Sequence, residues 1–341
     1  MSQTISVRPV GSKKELNTFI HFPWSIYRGK TKYENWVPPL LIGEKELFDK
    51  EKNAFFLHAE SENFLAYRDG DVVGRISAII DRNYIEIQED NAGFFGFFEC
   101  VEDDEAAKAL LEAAESWLKE RGKERMLGPM NPSTNHIMGL LIDSFDIPPM
   151  VQMGYNPPYY AAQLESAGLE KEKDLRCYIM RRDWLPISDK INRVQHVARK
   201  RNKITIRTVN MKKFDQEVAL IRELYNDGWE KNWGFVPWTK EEFDQMAEEL
   251  KLVAIPELVL MAFIDEKLVG VSIPIPNVNE ILIKMNGRLL PFGIFKLLLG
   301  KKRVEMIRMA ILGVRKGYHN KGIDAIFSYE TYVRAEKMGM Q

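Results

Sequence analysis

Two stretches of the chain concentrate side chains that could do chemistry. The first runs Leu312, Gly313, Val314, Arg315, Lys316, Gly317, Tyr318, His319, Asn320, Lys321, Gly322, Ile323, Asp324, placing three permanent cations, a histidine and glycines ahead of a helix-like segment. Such a turn suits a phosphate, because free N–H groups and the positive end of a helix dipole would face the anion. The second is residues 128–160, where Asn131, Ser133, Thr134, Asn135, His136, Asp143, Asp146, Tyr155, Asn156, Tyr159 and Tyr160 lie among prolines, glycines and methionines. This block reads either as a crossover whose Asn, Asp and Ser residues make turns and caps, or as a substrate wall. In the second reading hydroxyls, amides and aromatic faces orient a polar head group, while Met130, Met138, Met150 and Met153 adapt to an apolar tail.

The elements that must position these groups are written twice in the chain. Residues 65–79, LAYRDGDVVGRISAI, align without gaps on 261–275, MAFIDEKLVGVSIPI, and Ala66, Asp69, Val73, Gly74 and Ile79 are identical to Ala262, Asp265, Val269, Gly270 and Ile275. Each copy reads as strand, Asp-centred tight turn and strand. Upstream, ISVRPV at 5–10 matches ITIRTV at 204–209, and a Lys-Lys pair and a helix-like stretch follow each. Downstream, GFFGFFECV at 93–101 and MAILGV at 309–314 each lead to a helix that stops at glycine, Gly122 or Gly339, the residue best suited to a left-handed C-cap. The order strand, helix, hairpin, strand, helix therefore occurs in both halves, and predicts an α+β (mixed α/β) chain of two tandem domains from an internal duplication. The expected boundaries are residues 1–182, a basic linker helix over 183–203, and 204–341.

The copies differ at the turn before the last helix. The first has Glu99, Glu102, Asp103, Asp104 and Glu105 there, carboxylates that cap a helix well but repel a diphosphate. The second has the cationic turn described above.

Composition narrows the function. The 341 residues carry 48 Lys and Arg against 49 Asp and Glu, a net charge of −1, so no global field favours nucleic acid. Two cysteines and five histidines without ligand spacing predict neither a disulfide framework nor a metal centre. The N-terminus has no apolar run suited to a signal peptide, and a cytoplasmic protein is expected. Residues 289–303, LLPFGIFKLLLGKKR, are apolar with a basic end and too short to span a bilayer. They read as a buried loop and helix, or as an interfacial or acyl-chain-contacting element making peripheral membrane contact.

With the duplicated order, the turn before Gly322 resembles the GCN5-related N-acetyltransferase (GNAT) superfamily, whose coenzyme A pyrophosphate lies on backbone amides at a helix N-terminus. His319 and Asp324 depart from that superfamily's usual signature, and Asp324 puts a carboxylate where a small residue is normal. NPPYYAAQLESAGL at 156–169 resembles the segment leading to the fold's closing strand, expected here to end near Ile179. By the same analogy the second copy lacks its closing strand, helix and strand. Two more blocks, YNDGWEKNWGFVPWT at 225–239 and NEILIKMNGRLLPFG at 279–293, together with 128–160, resemble a family within the superfamily that includes bacterial ceramide synthase-like proteins.

The resemblance implies two tandem GNAT-like (acyl-CoA N-acyltransferase) domains, of which the second binds the donor, and transfer of an acyl group from acyl-CoA or another thioester to a primary amine. The amine would be a small molecule or a lipid amine such as a long-chain base, with no nucleic acid and no metal. Cofactor contacts are expected from Leu312, Gly313, Val314, Arg315, Lys316, His319, Asn320, Lys321, Gly322 and Ile323, with backbone donors of Leu312 to Val314 facing the oxyanion. His136 and Asp143 are candidates to accept the proton, and Tyr155 to orient substrate or protonate the leaving thiolate. Asn135, Asn156, Tyr159 and Tyr160, with Lys284, Asn286 and Arg288 on one face of an expected strand, are candidates to contact the acceptor. A GNAT-fold pair that binds without catalysis and an aminoacyl-tRNA-dependent transferase are the competing readings, the latter disfavoured by the near-neutral charge.

Overall fold

The computed structural model describes residues 4–181, 187–229, 231–301 and 303–340, and the chain divides into two compact units. Residues 1–176 with Met285–Leu289 form the first, and Cys177–Lys284 with Leu290–Gln341 the second.

The first unit is built on a five-stranded sheet of β1 (Ser6–Pro9), β2 (Ala59–Arg68), β3 (Asp71–Asp81), β4 (Ala92–Cys100) and β5 (Arg125–Leu127), in that spatial order. The first four strands are antiparallel, and β5 runs parallel to β4 for only three residues, Ala92 to Phe94 against Arg125 to Leu127. Helices α1 (Lys13–Tyr27), α2 (Leu41–Leu47), α3 (Arg82–Gln88), α4 (Asp104–Glu120) and α5 (Tyr160–Ser166) and a two-stranded ribbon of β6 (Met130–Asn131) and β7 (Ile137–Met138) complete it. In α4 the residues Ala106, Leu110, Leu111, Ala114, Trp117 and Leu118 recur at helical spacing and bury themselves against the sheet beside Ile76, Ala78 and Phe95.

The second unit repeats the scheme. Helix α6 (Asp189–Asn202) precedes β8 (Thr205–Thr208), α7 (Phe214–Gly228), α8 (Lys240–Val253), β9 (Leu260–Ile264), β10 (Lys267–Pro276), α9 (Asn279–Leu282), α10 (Gly293–Gly300), β11 (Ile307–Val314) and α11 (Ile323–Lys337). The sheet order is β8-β9-β10-β11, all antiparallel, and among the described residues β11 pairs on one side only.

The duplication extends to fine detail. Both hairpins turn on two residues with positive φ, Asp69 and Gly70 in one and Asp265 and Glu266 in the other, the backbone that matches strand twist in a two-residue loop. Each then bulges at the identical valine: Val73 is the extra residue between Ala66–Gly74 and Tyr67–Val72, and Val269 between Ala262–Gly270 and Phe263–Leu268. The bulged carbonyls accept equivalent hydrogen bonds, from Val101 N–H at 3.0 Å and from Arg315 N–H at 2.8 Å. Glycine follows both bulges because the last helix lies close: a Cβ on Gly74 would come 2.6 Å from Leu110 Cδ1, and one on Gly270 2.8 Å from Ile323 Cγ2.

Three sequence expectations are corrected. The helix expected as a linker is part of the second unit: from Asp189 on, α6 packs along α11, with Ala198 in one core with Ile323 and Phe327, and residues 183–186 lie outside the described residues. No strand closes the first copy near Ile179; residues 169–181 are irregular, and Tyr178 and Met180 are 82% and 71% exposed. Lys284, Asn286 and Arg288 do not share a strand face. The segment is α9 followed by turns, and Asn286 and Gly287, both at positive φ, reverse the chain there.

Candidate functional site

The two turns that precede α4 and α11 are equivalent in topology and opposite in chemistry. In the first unit Asp103 is the N-cap of α4, accepting from Ala106 N–H at 3.1 Å. Arg68 grips the same carboxylate through Nε at 3.0 Å and Nη2 at 3.1 Å, and reaches Glu105 at 2.9 Å. The N-terminus of α4 is thus satisfied by its own acid, which Arg68 partly neutralises.

In the second unit the N-cap of α11 is Gly322, at φ 75°, and no side chain caps the helix. Gly317, Asn320 and Gly322 all have positive φ, so the turn winds left-handed three times in six residues. Lys316, His319 and Asn320 are exposed, and Lys321 is half-buried with its ammonium 5.5 Å from the Tyr318 ring centre. A side chain on Gly322 would meet Ala198 of α6 at 2.8 Å. Asn202 of α6 donates to the Lys321 carbonyl at 3.2 Å, so the helix expected to be a linker braces the turn.

Other residues expected at this turn serve the fold. The Arg315 side chain is spent on the Leu268 carbonyl, 3.1 Å, and on Glu223, 2.9 Å. The Lys316 N–H points to Asp227 at 3.3 Å. Val314 pairs with Gly270 and Leu312 with Ser272 in the β10–β11 ladder, and the Leu312 side chain is 41% exposed. Gly313 lies beneath Trp229, where a Cβ would fall 1.9 Å from the indole. Ile323 is buried, so only its backbone faces the turn. Asp324, the residue at odds with the superfamily signature, is exposed in the first turn of α11, where a carboxylate complements the dipole. The uncapped helix start, the left-handed backbone and Lys316, His319 and Lys321 fit a diphosphate; Arg315 is withdrawn from that set.

The first unit closes the corresponding space with its own chain. Where β5 leaves β4, the Asn131 side chain accepts from Phe97 N–H, and the Met130 carbonyl lies against Gly96, 1.7 Å from where a Cβ would be. At the strand position matching Gly313 stands Glu99. Its Oε2 accepts from Tyr27 at 2.7 Å and from Tyr160 at 2.6 Å, and Arg75 is its cross-strand partner. Burial pushes the Glu99 carboxyl above its usual range, a trend that Arg75 and the two tyrosines oppose. Burial likewise raises the Tyr27 and Tyr160 phenols, and Glu99 adds to the shift. Sequence reasoning counted Glu99 among the capping carboxylates of the turn and missed this hub, since the side chain belongs to β4 and its partner Tyr27 is 72 residues away.

The central block is mostly self-satisfied. Asn156 accepts from Leu141 N–H at 2.7 Å and donates to the Leu141 and Pro157 carbonyls, copying a strand partner. Tyr160 also accepts from Cys100 N–H, and Tyr159 donates to the Cys100 carbonyl, both at 2.9 Å. Asn156 and Tyr160, both buried, supply the partners that the end of β4 and residues 141–157 need, as the crossover reading of this block expects. Asn135, half-buried, donates its backbone N–H to Ser133 Oγ.

The three proton-transfer candidates have three different sets of neighbours. His136 holds Ser133 Oγ at 2.8 Å and meets the Phe55 ring edge-on at 6.1 Å. Asp143 is exposed and accepts from Ser144 at 2.9 Å. Tyr155 sits beside the Tyr27 ring, with its hydroxyl 3.5 Å from the Phe145 carbonyl and its phenol raised by burial. Of the remaining acceptor candidates, Lys284 and Arg288 are exposed, and Asn286 accepts from Trp24 Nε1 at 3.0 Å inside the first unit. Among the described residues no group of three or more His, Cys, Asp or Glu could hold a metal ion, and no helix is long and apolar enough to cross a membrane.

Comparison with known proteins follows the same lines. No family model matches the chain. Protein YghO of Escherichia coli (strain K12) is 36% identical over 324 residues, covering 94% of this chain and 82% of that protein. Bacterial ceramide synthase of Caulobacter vibrioides (strain NA1000 / CB15N) is 38% identical over 323 residues, covering 92% and 81%. Among solved structures, the chain superposes along its full length on the GCN5-related glucosamine N-acetyltransferase region of a fungal multi-domain GH3 β-N-acetylglucosaminidase, with a TM-score of 0.52 and 13% identity. It spans 35% of that larger protein, and the likeness establishes the GNAT fold.

Proposed function

Since the chain belongs to the family of bacterial ceramide synthase and Protein YghO, we propose that it is an N-acyltransferase that moves an acyl group from acyl-CoA to the primary amine of a lipid such as a long-chain base. The observation that carries the donor assignment is the contrast between the uncapped, glycine-led start of α11 and the start of α4, sealed by Asp103 and Arg68.

In this reading the diphosphate of the donor lies on the N–H groups at the start of α11, with Lys316, His319 and Lys321 around it and Arg315 holding the loop in place. The thioester lies along the free edge of β11, whose backbone donors near Leu312 to Val314 stabilise the oxyanion. A neutral amine attacks the carbonyl carbon, the C–N bond forms, the C–S bond breaks, and the thiolate takes up a proton as the nitrogen loses one. Of the proton-transfer candidates, all in the first unit, His136 is the best oriented by its own neighbours, since Ser133 fixes one ring nitrogen and Phe55 packs on its edge.

The test is direct. Acyl-CoA is titrated by calorimetry into the wild type and into the H319E/K321E double variant, and amide formation from a long-chain base is followed by mass spectrometry. The expected result is amide product and a loss of affinity of about tenfold or more in the variant at unchanged melting temperature. A folded wild type that binds no acyl-CoA, or a variant that binds as well as the wild type, overturns the assignment.

A further inference from the structure

Residues 290–299 leave apolar surface bare. Leu290, Phe292, Phe295, Leu298 and Leu299 are 68%, 73%, 62%, 43% and 74% exposed, five of ten consecutive residues, where single exposed hydrophobics are the norm. Helix α10 explains the segregation. Gly293 and Leu297 are buried, and Gly300 is pressed against Ile281, whose Cδ1 would be 2.7 Å from a Cβ there. That row faces inward. Phe292, Phe295, Leu298 and Leu299 fall on the other side, on a stripe roughly 120° wide at 3.6 residues per turn. Leu252 at the end of α8 is also 57% exposed, and its carbonyl accepts from Lys301 Nζ at 3.0 Å.

Charge indicates the occupant. From Ile281 to Val304 the chain contains no Asp or Glu but has Lys284, Arg288, Lys296, Lys301, Lys302 and Arg303, in a protein whose net charge is −1. Lys302 lies outside the described residues. Lys296 follows Phe295 on α10, three residues before Leu299, Arg303 follows the helix in the same unit, and both are exposed. Bare Phe and Leu in a segment that carries cations and no carboxylate complement an anionic lipid surface: rings and leucines enter the acyl boundary while the cations meet phosphate headgroups. At 8 residues the helix is about 12 Å long against a hydrocarbon core of about 30 Å, so it lies on a bilayer rather than crossing it.

We infer that α10 and its flanks, Leu290 to Lys301 with Arg303, form a docking surface for an anionic phospholipid membrane. The inference rests on these residues alone and holds or fails separately from the acyl transfer proposed above.

The test is co-sedimentation of the full chain with vesicles of phosphatidylcholine containing about 30% phosphatidylglycerol, and with vesicles of phosphatidylcholine alone, at 0.1 M and 0.5 M salt. The expected result is binding to the anionic vesicles that weakens at least tenfold in phosphatidylcholine alone and at the higher salt, where screening is stronger. F295E/L299E is expected to abolish binding and K296E/R303E to weaken it, both at an unchanged melting temperature because these side chains are exposed. Two results overturn the proposal: no sedimentation with anionic vesicles, or equal sedimentation of F295E/L299E. A third is a self-associated wild type that F295E/L299E converts to monomer without any lipid binding, which would assign the stripe to a second copy of the chain.

Discussion

Removing Glu99 tests the claim that one buried carboxylate holds the middle of the first unit together. Tyr27 and Tyr160 are each 1% exposed, and both hydroxyls donate to one oxygen, Glu99 Oε2, at 2.7 and 2.6 Å. Glu99→Ala strands two buried donors. At about 1–3 kcal/mol for each unsatisfied group, the loss is about 2–5 kcal/mol once relaxation lowers the upper end. Glu99→Gln retains a carbonyl with two lone pairs and should cost about 1 kcal/mol. Native-state hydrogen exchange on peptides covering β3, β4 and α5 reads the first unit by itself, and there about 2–5 kcal/mol corresponds to roughly thirty- to several-thousand-fold faster exchange. The pH dependence supplies a second check. Because burial raises the Glu99 carboxyl from the usual 4.5, its contribution is fully present below that value and is lost as pH rises through the folded one. Glutamine does not titrate, so the stability of Glu99→Gln relative to the wild type improves from about pH 4.5 upward. Exchange in Glu99→Ala within threefold of the wild type, or equal losses for the two variants, would refute the reasoning.

Other substitutions probe the turn and the duplicated bulge. Gly322→Ala forces a Cβ onto a residue at φ 75° and to 2.8 Å from Ala198; a loss of about 2–3 kcal/mol, read by exchange in α6 and α11, is expected. Gly270→Ala, squeezed between Ile323, Phe327 and the Gly313 carbonyl, should cost about 1–3 kcal/mol. Gly74→Ala, which meets the buried Leu110 at 2.6 Å and the Glu99 carbonyl at 3.2 Å, should cost a similar amount. Tyr84, which donates to Asp90 at 3.1 Å, has its phenol pushed up to about 12 by burial and by that carboxylate. Its contribution is therefore kept below pH 10 and lost as pH rises toward 12, and alkaline titration of Tyr84→Phe by circular dichroism should lack that component.

The parts of the fold visible in the sequence were those encoded within a few residues. The Asp-centred turns, the Val-Gly steps after them and the glycines ending α4 and α11 each act over one turn or one strand pair, so pairing 65–79 with 261–275 placed both sheets. Asp103 as a cap and Gly322 as the opening of a helix were legible for the same reason. What failed depends on distance along the chain. Lys284, Asn286 and Arg288 alternate like a strand, but the Asn-Gly step within them turns the backbone, and Trp24, 262 residues away, fixes Asn286. Nothing near Arg315 announces that Glu223 and the Leu268 carbonyl claim its guanidinium. The block at 128–160 left two readings open because asparagine and tyrosine serve equally well to bind a ligand and to satisfy buried backbone, and at Leu141 and Cys100 they do the second.

Met285 to Leu289 belong to the first unit although 108 residues, Cys177 to Lys284, separate them from Arg176. Asn286 accepts from Trp24, and the Gly287 carbonyl accepts from Leu41 N–H at 3.0 Å. On a ribosome adding 5–20 residues per second, that tail emerges roughly 5–20 s after Arg176. Until then the amino-terminal half waits with its indole unbonded, a window in which a chaperone or protease meets an unfinished surface. A fragment cut after Arg176 would live permanently in that window, so excising this half for separate study calls for a graft of the five-residue loop.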